Sequence, residues 1–301
     1  MSNLEIQIGS MKWKNPVTVA SGTFGYEYDE LFDLSQLGAL VTKTITLNPK
    51  KGNEPCRLAE TRAGLLNSIG LQNPGVEEFI TEKLIKYDKY KTNLVVSISG
   101  STIDEFCQIA DKLNPYDNID AYEINISCPN VEKEGLAFGV EAEVVRELIA
   151  KLRATTDKDI IVKLTPNVTK IEEIARAAAE SGADIISLIN TVLGLAVDIE
   201  TKASRIKNGI AGYSGPAIKP IALQNVFRVA QAVDIPIIGM GGICNTEDAL
   251  EFLMVGASAV AMGTANFSNP LITLDIIKGL EMYLGKNNTN LREIIGSFKL
   301  Q

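Results

Sequence analysis

The chain has 301 residues, 46% hydrophobic, 22% charged and only 6% aromatic, a profile that fits an ordinary soluble α/β protein and excludes a disordered or fibrous one. A formal net charge of -8 argues against nucleic acid or an anionic membrane as a main partner. The four cysteines, Cys56, Cys107, Cys128 and Cys244, lie far apart without C-x-x-C spacing, so neither a disulfide framework nor a metal or iron–sulfur site carried by this chain alone is expected.

The chain opens with two short segments, 4–8 and 13–15, around Gly9, which read as a hairpin able to floor a barrel. Apolar runs then recur at 16–20, 39–42, 93–98, 121–126, 159–164, 184–189, 235–239 and 259–262. Most lack strict alternation, as expected of parallel strands buried on both faces. Amphipathic helices fit between them at 76–87, 103–113, 141–154, 171–180, 216–233 and 246–254. Thr102 followed by Glu105 forms a capping box, and Gly182 and Gly256 stand just past helical patterns. Eight strand and helix units predict an α/β fold, a closed (β/α)8 TIM barrel. No linker divides the chain, so one domain over 1–301 is expected. No apolar run reaches the roughly 18 residues of a spanning helix, and no basic region precedes an apolar stretch at the N-terminus, so a cytoplasmic location is expected.

Three connections, 43–75, 128–140 and 191–215, are longer than a barrel needs. Each follows a strand, which puts it at the C-terminal face where such barrels carry chemistry. The chain contains no histidine, so acid–base work falls to Cys, Lys, Asp, Glu or Tyr. Cys128, in Asn125-Ile126-Ser127-Cys128-Pro129-Asn130 at the end of a strand, is the leading candidate, although a free cysteine is more commonly a small buried residue. Gly239-Met240-Gly241-Gly242 and Gly263-Thr264 end the last two strands, where glycines either let backbone N–H groups approach a phosphate or serve only tight turns. The second half of a Rossmann fingerprint is absent. Lys43 and Lys163 end the second and fifth strands, placed either to balance an anion or to snorkel to the surface. Asn67, Asn125, Asn130 and Asn190 fall in or beside the same regions; each alone reads more commonly as a turn or cap residue, but together their carboxamides suit a ligand of alternating N–H and C=O groups and a carboxylate.

With these residues in place the chain resembles the dihydroorotate dehydrogenase family over essentially its whole length. The matching segments are Ala20-Ser21-Gly22-Thr23-Phe24-Gly25, Thr42-Lys43-Thr44, Asn67-Ser68-Ile69-Gly70-Leu71-Gln72-Asn73-Pro74-Gly75, the 125–130 motif, Ile189-Asn190-Thr191, Ser214-Gly215-Pro216-Ala217 and 239–243. The resemblance implies an FMN with its phosphate on Gly215, Gly241, Gly242, Gly263 and Thr264, and with Ala20, Ser21, Lys43, Thr44, Asn125, Lys163 and Ile189 around the remainder. It implies dihydroorotate held by Lys43, Asn67, Ser68, Ile69, Gly70, Leu71, Asn125, Asn130, Asn190 and Thr191, oxidised to orotate with Cys128 as base. Cysteine at that position marks class 1, and the 131–138 loop and 193–201 run look most like class 1B. Class 1B implies a homodimer of this chain within a heterotetramer, with a partner subunit carrying FAD and an iron–sulfur cluster that passes electrons to NAD⁺. The alternatives are a stand-alone class 1A enzyme using fumarate, a flavin barrel acting on another pyrimidine, and a non-redox phosphate-binding regulatory barrel. One position departs from the family pattern: Ser97 stands where an asparagine is usual, and a hydroxyl reaches less far than a carboxamide.

Overall fold

The computed structural model describes residues 4–126 and 139–300. Its centre is an eight-stranded parallel sheet made of Val17–Val19, Ala39–Val41, Asn93–Ile98, Ala121–Asn125, Asp159–Lys163, Ile185–Leu188, Ile237–Met240 and Ala259–Met262, called here the first to eighth barrel strands. The hydrogen-bonded order runs first, eighth, seventh, sixth, fifth, fourth, third, second. The remaining gap, between first and second, is bridged by the Gly38 N–H donating to Val17 O (3.0 Å) and the Thr18 hydroxyl donating to Ala39 O (2.8 Å). The barrel is therefore nearly closed, as the strand count required. Every residue of the fourth to eighth strands is buried, which is why these segments read as unbroken apolar runs instead of alternating ones.

Helices Ile103–Leu113, Ala142–Thr155, Ile171–Glu180, Lys219–Ala230 and Thr246–Met254 cross over between successive strands from the third onward. The expected capping box at Thr102 forms with a one-residue shift: Thr102 Oγ1 accepts from the Glu105 N–H, while Glu105 Oε2 accepts from the Ser101 N–H, not from that of Thr102. The segment 76–87, expected as one amphipathic helix, is a single α-turn (Val76–Glu78) followed by a π-turn (Phe79–Lys83) and a 3₁₀-turn (Leu84–Tyr87). Thr81 donates back to Glu77 O at 3.1 Å, a bond of the kind that loosens and bends a helix. A further helix, Ile272–Asn287, follows the eighth strand and was not expected. Among the described residues, no helix is long and apolar enough to cross a membrane.

The N-terminal hairpin pairs Ile6–Ile8 with Met11–Trp13. Ile8 and Trp13 are fully buried, and the Ser10 N–H donates to Asp159 Oδ2 at 2.7 Å, which fixes the turn against the start of the fifth strand. At the opposite end, two connections expected as loops are partly sheet. Val192–Gly194, Ala211–Ser214, Gly64–Asn67 and Leu58–Thr61 form a four-stranded antiparallel sheet in that order. One face carries Ala59, Leu66 and Ala211, which bury a small core of their own with Ile206. Side chains alternate along a strand, so Asn67 and Ser214 lie on the other face. Thr264, just beyond the eighth strand, donates to Ser214 Oγ at 2.7 Å, which places that face over the mouth of the barrel.

Candidate active site

The strand registers sort the interior into layers. Ser97, Glu123, Ile161 and Ile185 are cross-strand neighbours on the third to sixth strands, and partners in a ladder share a face. Asn125, Lys163 and Ser187 form the next layer toward the mouth on the same face. Lys163 proves the direction: its Nζ donates to Ser21 Oγ (3.1 Å), in the loop after the first strand, and lies 3.7 Å from Glu123 Oε1. The Lys163 and Glu123 side chains are only 5% and 3% exposed, so this lysine does not snorkel to the surface. Glu123 Oε2 accepts from the Ser187 hydroxyl at 3.3 Å.

Lys43 comes from the end of the second strand and also turns toward the mouth, since a Cβ at Gly22 would stand 3.0 Å from its Nζ. Burial, and then the positive charge of Lys163, hold the Lys43 amine below the usual lysine value. Two cations that repel one another in a half-desolvated pocket make a receptor for an anion. Beside them, Thr44 and Ser97 share a buried hydroxyl–hydroxyl hydrogen bond of 2.9 Å, and the carbonyl of Asn125 accepts from Ser99 Oγ at 3.3 Å. Ser97 itself is fully buried and is committed to Thr44.

Across the mouth, the glycines meet where the sixth, seventh and eighth strands end. Gly215 and Gly242 hold φ of +105° and +84°, and a Cβ at Gly242 would fall 2.8 Å from Lys219 N and 3.0 Å from Gly215 O. The loops after the sixth and seventh strands are thus in backbone contact, and only glycine permits it. Gly241 packs beside Ile189, whose N–H donates to Met240 O at 2.9 Å. At Gly263 an added Cβ would meet Ala20 at 3.6 Å, an ordinary contact between the first and eighth strand ends. The turn Pro216–Ile218 leads into helix Lys219–Ala230, bringing helical N–H groups to the same place. The Lys219 side chain is turned to Asp248 (2.6 Å) and Glu251 (2.9 Å).

The segment 67–75 is fastened from both ends. Asn67 Nδ2 donates to Gly212 O (3.3 Å), Ser68 Oγ accepts from Asn53 Nδ2 (2.9 Å), and Ile69 O accepts from the Asn53 N–H (2.9 Å). Gly70 and Leu71 both hold positive φ in the turn that follows. Asn73 closes it, with Oδ1 accepting from the Thr46 and Gly75 N–H groups and Nδ2 donating to Leu71 O. On the neighbouring loop, Asn190 Oδ1 accepts from the Thr191 N–H at 2.8 Å, and Thr191 packs directly on Gly212, the ladder partner of Asn67. Asn67, Asn190 and Thr191 therefore share one edge of the mouth, while Asn125 lies in its floor beside Lys163. Cys128 and Asn130 lie outside the described residues. Sequence reasoning missed Glu123, Ser187 and Ser214; a lone glutamate inside the apolar run 121–126 was the available signal.

The family model described as dihydroorotate dehydrogenase matches residues 3–284. A protein of Thermoanaerobacter pseudethanolicus named dihydroorotate dehydrogenase B (NAD(+)), catalytic subunit, is 52% identical over 301 residues, 99% of each chain. Proteins of the same name from Alkaliphilus metalliredigens and Bacteroides thetaiotaomicron are 50% identical over 98% of each chain and 47% identical over 100% of each. With a family match that spans the barrel and relatives that cover it end to end, the chain belongs to the dihydroorotate dehydrogenase family.

Proposed function

We propose that this chain is the catalytic subunit of an NAD⁺-linked dihydroorotate dehydrogenase, a single FMN-binding barrel that oxidises dihydroorotate to orotate in pyrimidine synthesis. The observation that carries the reading is the division of one barrel mouth into two unlike ends. One end is cationic and rich in carboxamides and hydroxyls, with Lys43, Lys163, Asn125 and Ser21; the other is a backbone cradle at Gly215, Gly241, Gly242 and Gly263 beside Thr264. These residues fit FMN. A Cβ at Gly242 would press on Lys219 N and Gly215 O within the cradle, as phosphate sites built from backbone amides require, and the buried Lys163 amine is aimed into the mouth.

Bound FMN supplies the acceptor for the hydride that leaves C6 of dihydroorotate. The phosphate is held by Gly215, Gly241, Gly242, Gly263 and Thr264, and Ala20, Ser21, Lys43, Thr44, Asn125, Lys163 and Ile189 surround the remainder of the cofactor. Lys43 offsets the substrate carboxylate. Asn67, Asn125, Asn190 and Thr191, with Ser68, Ile69, Gly70, Leu71 and Asn130, present the donors and acceptors that orient the pyrimidine ring. Cys128 takes the proton from C5 as its thiolate, the only form of a cysteine able to accept it.

The printed names of the relatives call each a catalytic subunit and mention NAD(+), which supports a partner that completes electron transfer. In this reading that subunit carries FAD and an iron–sulfur cluster, docks on a homodimer of this chain in the cytoplasm, and leaves nucleic acid and membranes uninvolved. Purified chain loaded with FMN should form orotate with an artificial acceptor and reduce NAD⁺ efficiently only after such a subunit is added. Rapid reduction of fumarate without any partner would assign it to class 1A, and absence of flavin binding would overturn the reading.

A further inference from the structure

We propose that Glu123 is a positioning residue that sets the charge and aim of Lys163 toward the cofactor, an inference that rests on the FMN reading above. Glu123 lies one layer beneath Lys163, level with Ile161 and Ile185, and its side chain is 3% exposed. A buried carboxylate there is costly, and an apolar residue of similar volume would serve a purely structural layer as well or better. Its bonding is incomplete in a specific way. Oε2 takes one hydrogen bond from Ser187, whereas Oε1 has no hydrogen-bond partner and faces the Lys163 ammonium at 3.7 Å.

The lysine is held between two anchors, with Ser21 Oγ accepting its hydrogen bond on the mouth side and Glu123 attracting it from beneath. The carboxylate offsets part of the repulsion between Lys43 and Lys163; burial first, and then the charge of Lys163, already hold the Lys43 pKa down. Counting Lys43, Lys163 and Glu123, the floor of the site carries one net positive charge. That value governs how readily a bound flavin accepts the negative charge that reduction adds to it.

The test is the FMN-loaded full chain carrying Glu123→Gln or, as a second variant of similar length, Glu123→Met. The readouts are the flavin midpoint potential and the sulfite dissociation constant, with thermal unfolding to verify folding. Removing the carboxylate raises the local charge by one unit, so the potential should move positive and sulfite affinity should rise about tenfold, the scale of one unit charge a few ångströms away in a partly screened site. Lys163→Ala should move both in the opposite direction. A potential that is unchanged or lower in a folded Glu123 variant overturns the proposal. Failure of both variants to fold also overturns it, in favour of a structural role. If wild-type chain binds no FMN, the underlying functional reading fails, a result distinct from an FMN-loaded Glu123 variant with unaltered potential.

Discussion

Gly242→Ala offers a direct measurement of the backbone cradle. At φ +84° an L-residue carries a strain of about 1–3 kcal/mol. The new Cβ would also sit 2.8 Å from Lys219 N and 3.0 Å from Gly215 O, both backbone atoms that cannot swing aside as a flexible side chain would. The loops after the sixth and seventh strands must separate, and at least one N–H aimed at the phosphate is lost. A hydrogen bond to a charged group contributes about 1.5–3 kcal/mol, so FMN should bind about 10- to 150-fold more weakly. Fluorescence titration of apo-protein with FMN reads this directly, and riboflavin, which lacks the phosphate, should show a much smaller loss. Gly285→Ala, in helix Ile272–Asn287 with nothing within 4 Å of the added methyl, should leave FMN affinity intact and stabilise the protein by about 1 kcal/mol. A folded Gly242→Ala protein with wild-type FMN affinity would refute the assignment of the cradle.

Cys128→Ala should slow flavin reduction by dihydroorotate about 10²- to 10⁴-fold without releasing FMN, and stopped-flow reduction at the wild-type rate would remove Cys128 as the base. Lys43 gives a pH prediction. Its folded pKa lies below its ordinary 10.5, so on raising pH through the interval between them the folded chain has already lost a proton that the unfolded chain retains. Stability should therefore rise with pH across that interval, while affinity for the anionic substrate falls; a binding titration in which the loss begins only at 10.5 would contradict the assignment. Asn73→Ala removes the bonds to the Thr46 and Gly75 N–H groups and to Leu71 O, and should lower stability by about 2–4 kcal/mol in denaturant unfolding with a matching rise in KM; a loss below 1 kcal/mol would show that the 67–75 segment is held by other contacts.

The barrel was readable because parallel strands covered on both faces appear as short unbroken runs of Val, Ile and Ala, and the observed strands fall inside or within a residue of those runs. Lys43, Asn125 and Lys163 could be placed at the mouth for the same reason, since Asn125 and Lys163 end strands and Lys43 stands two residues past one. The antiparallel sheet was not legible. Its strands are three or four residues long, three of them contain glycine, and the central pair joins segments distant in sequence. Gly279 and Gly285 interrupt the pattern of Ile272–Asn287, which concealed that helix. The Glu123–Lys163 contact is a diagonal across two strands, and only the observed register brings the two together.

The same sheet constrains the order in which folding can finish. Most barrel contacts join neighbouring strand and helix units, so each closes a modest loop once the next unit exists. The Asn67–Gly212 bond instead spans 145 residues, and loop closure over that length must be met before the contact can contribute. The surface holding Asn67 therefore cannot form on a nascent chain until the residues through Ser214 have emerged and the intervening strands are in place. Ligand recognition should appear in refolding as a late kinetic phase, after recovery of helical signal, and chains truncated before Ala211, which also lack the seventh and eighth strands, should show none.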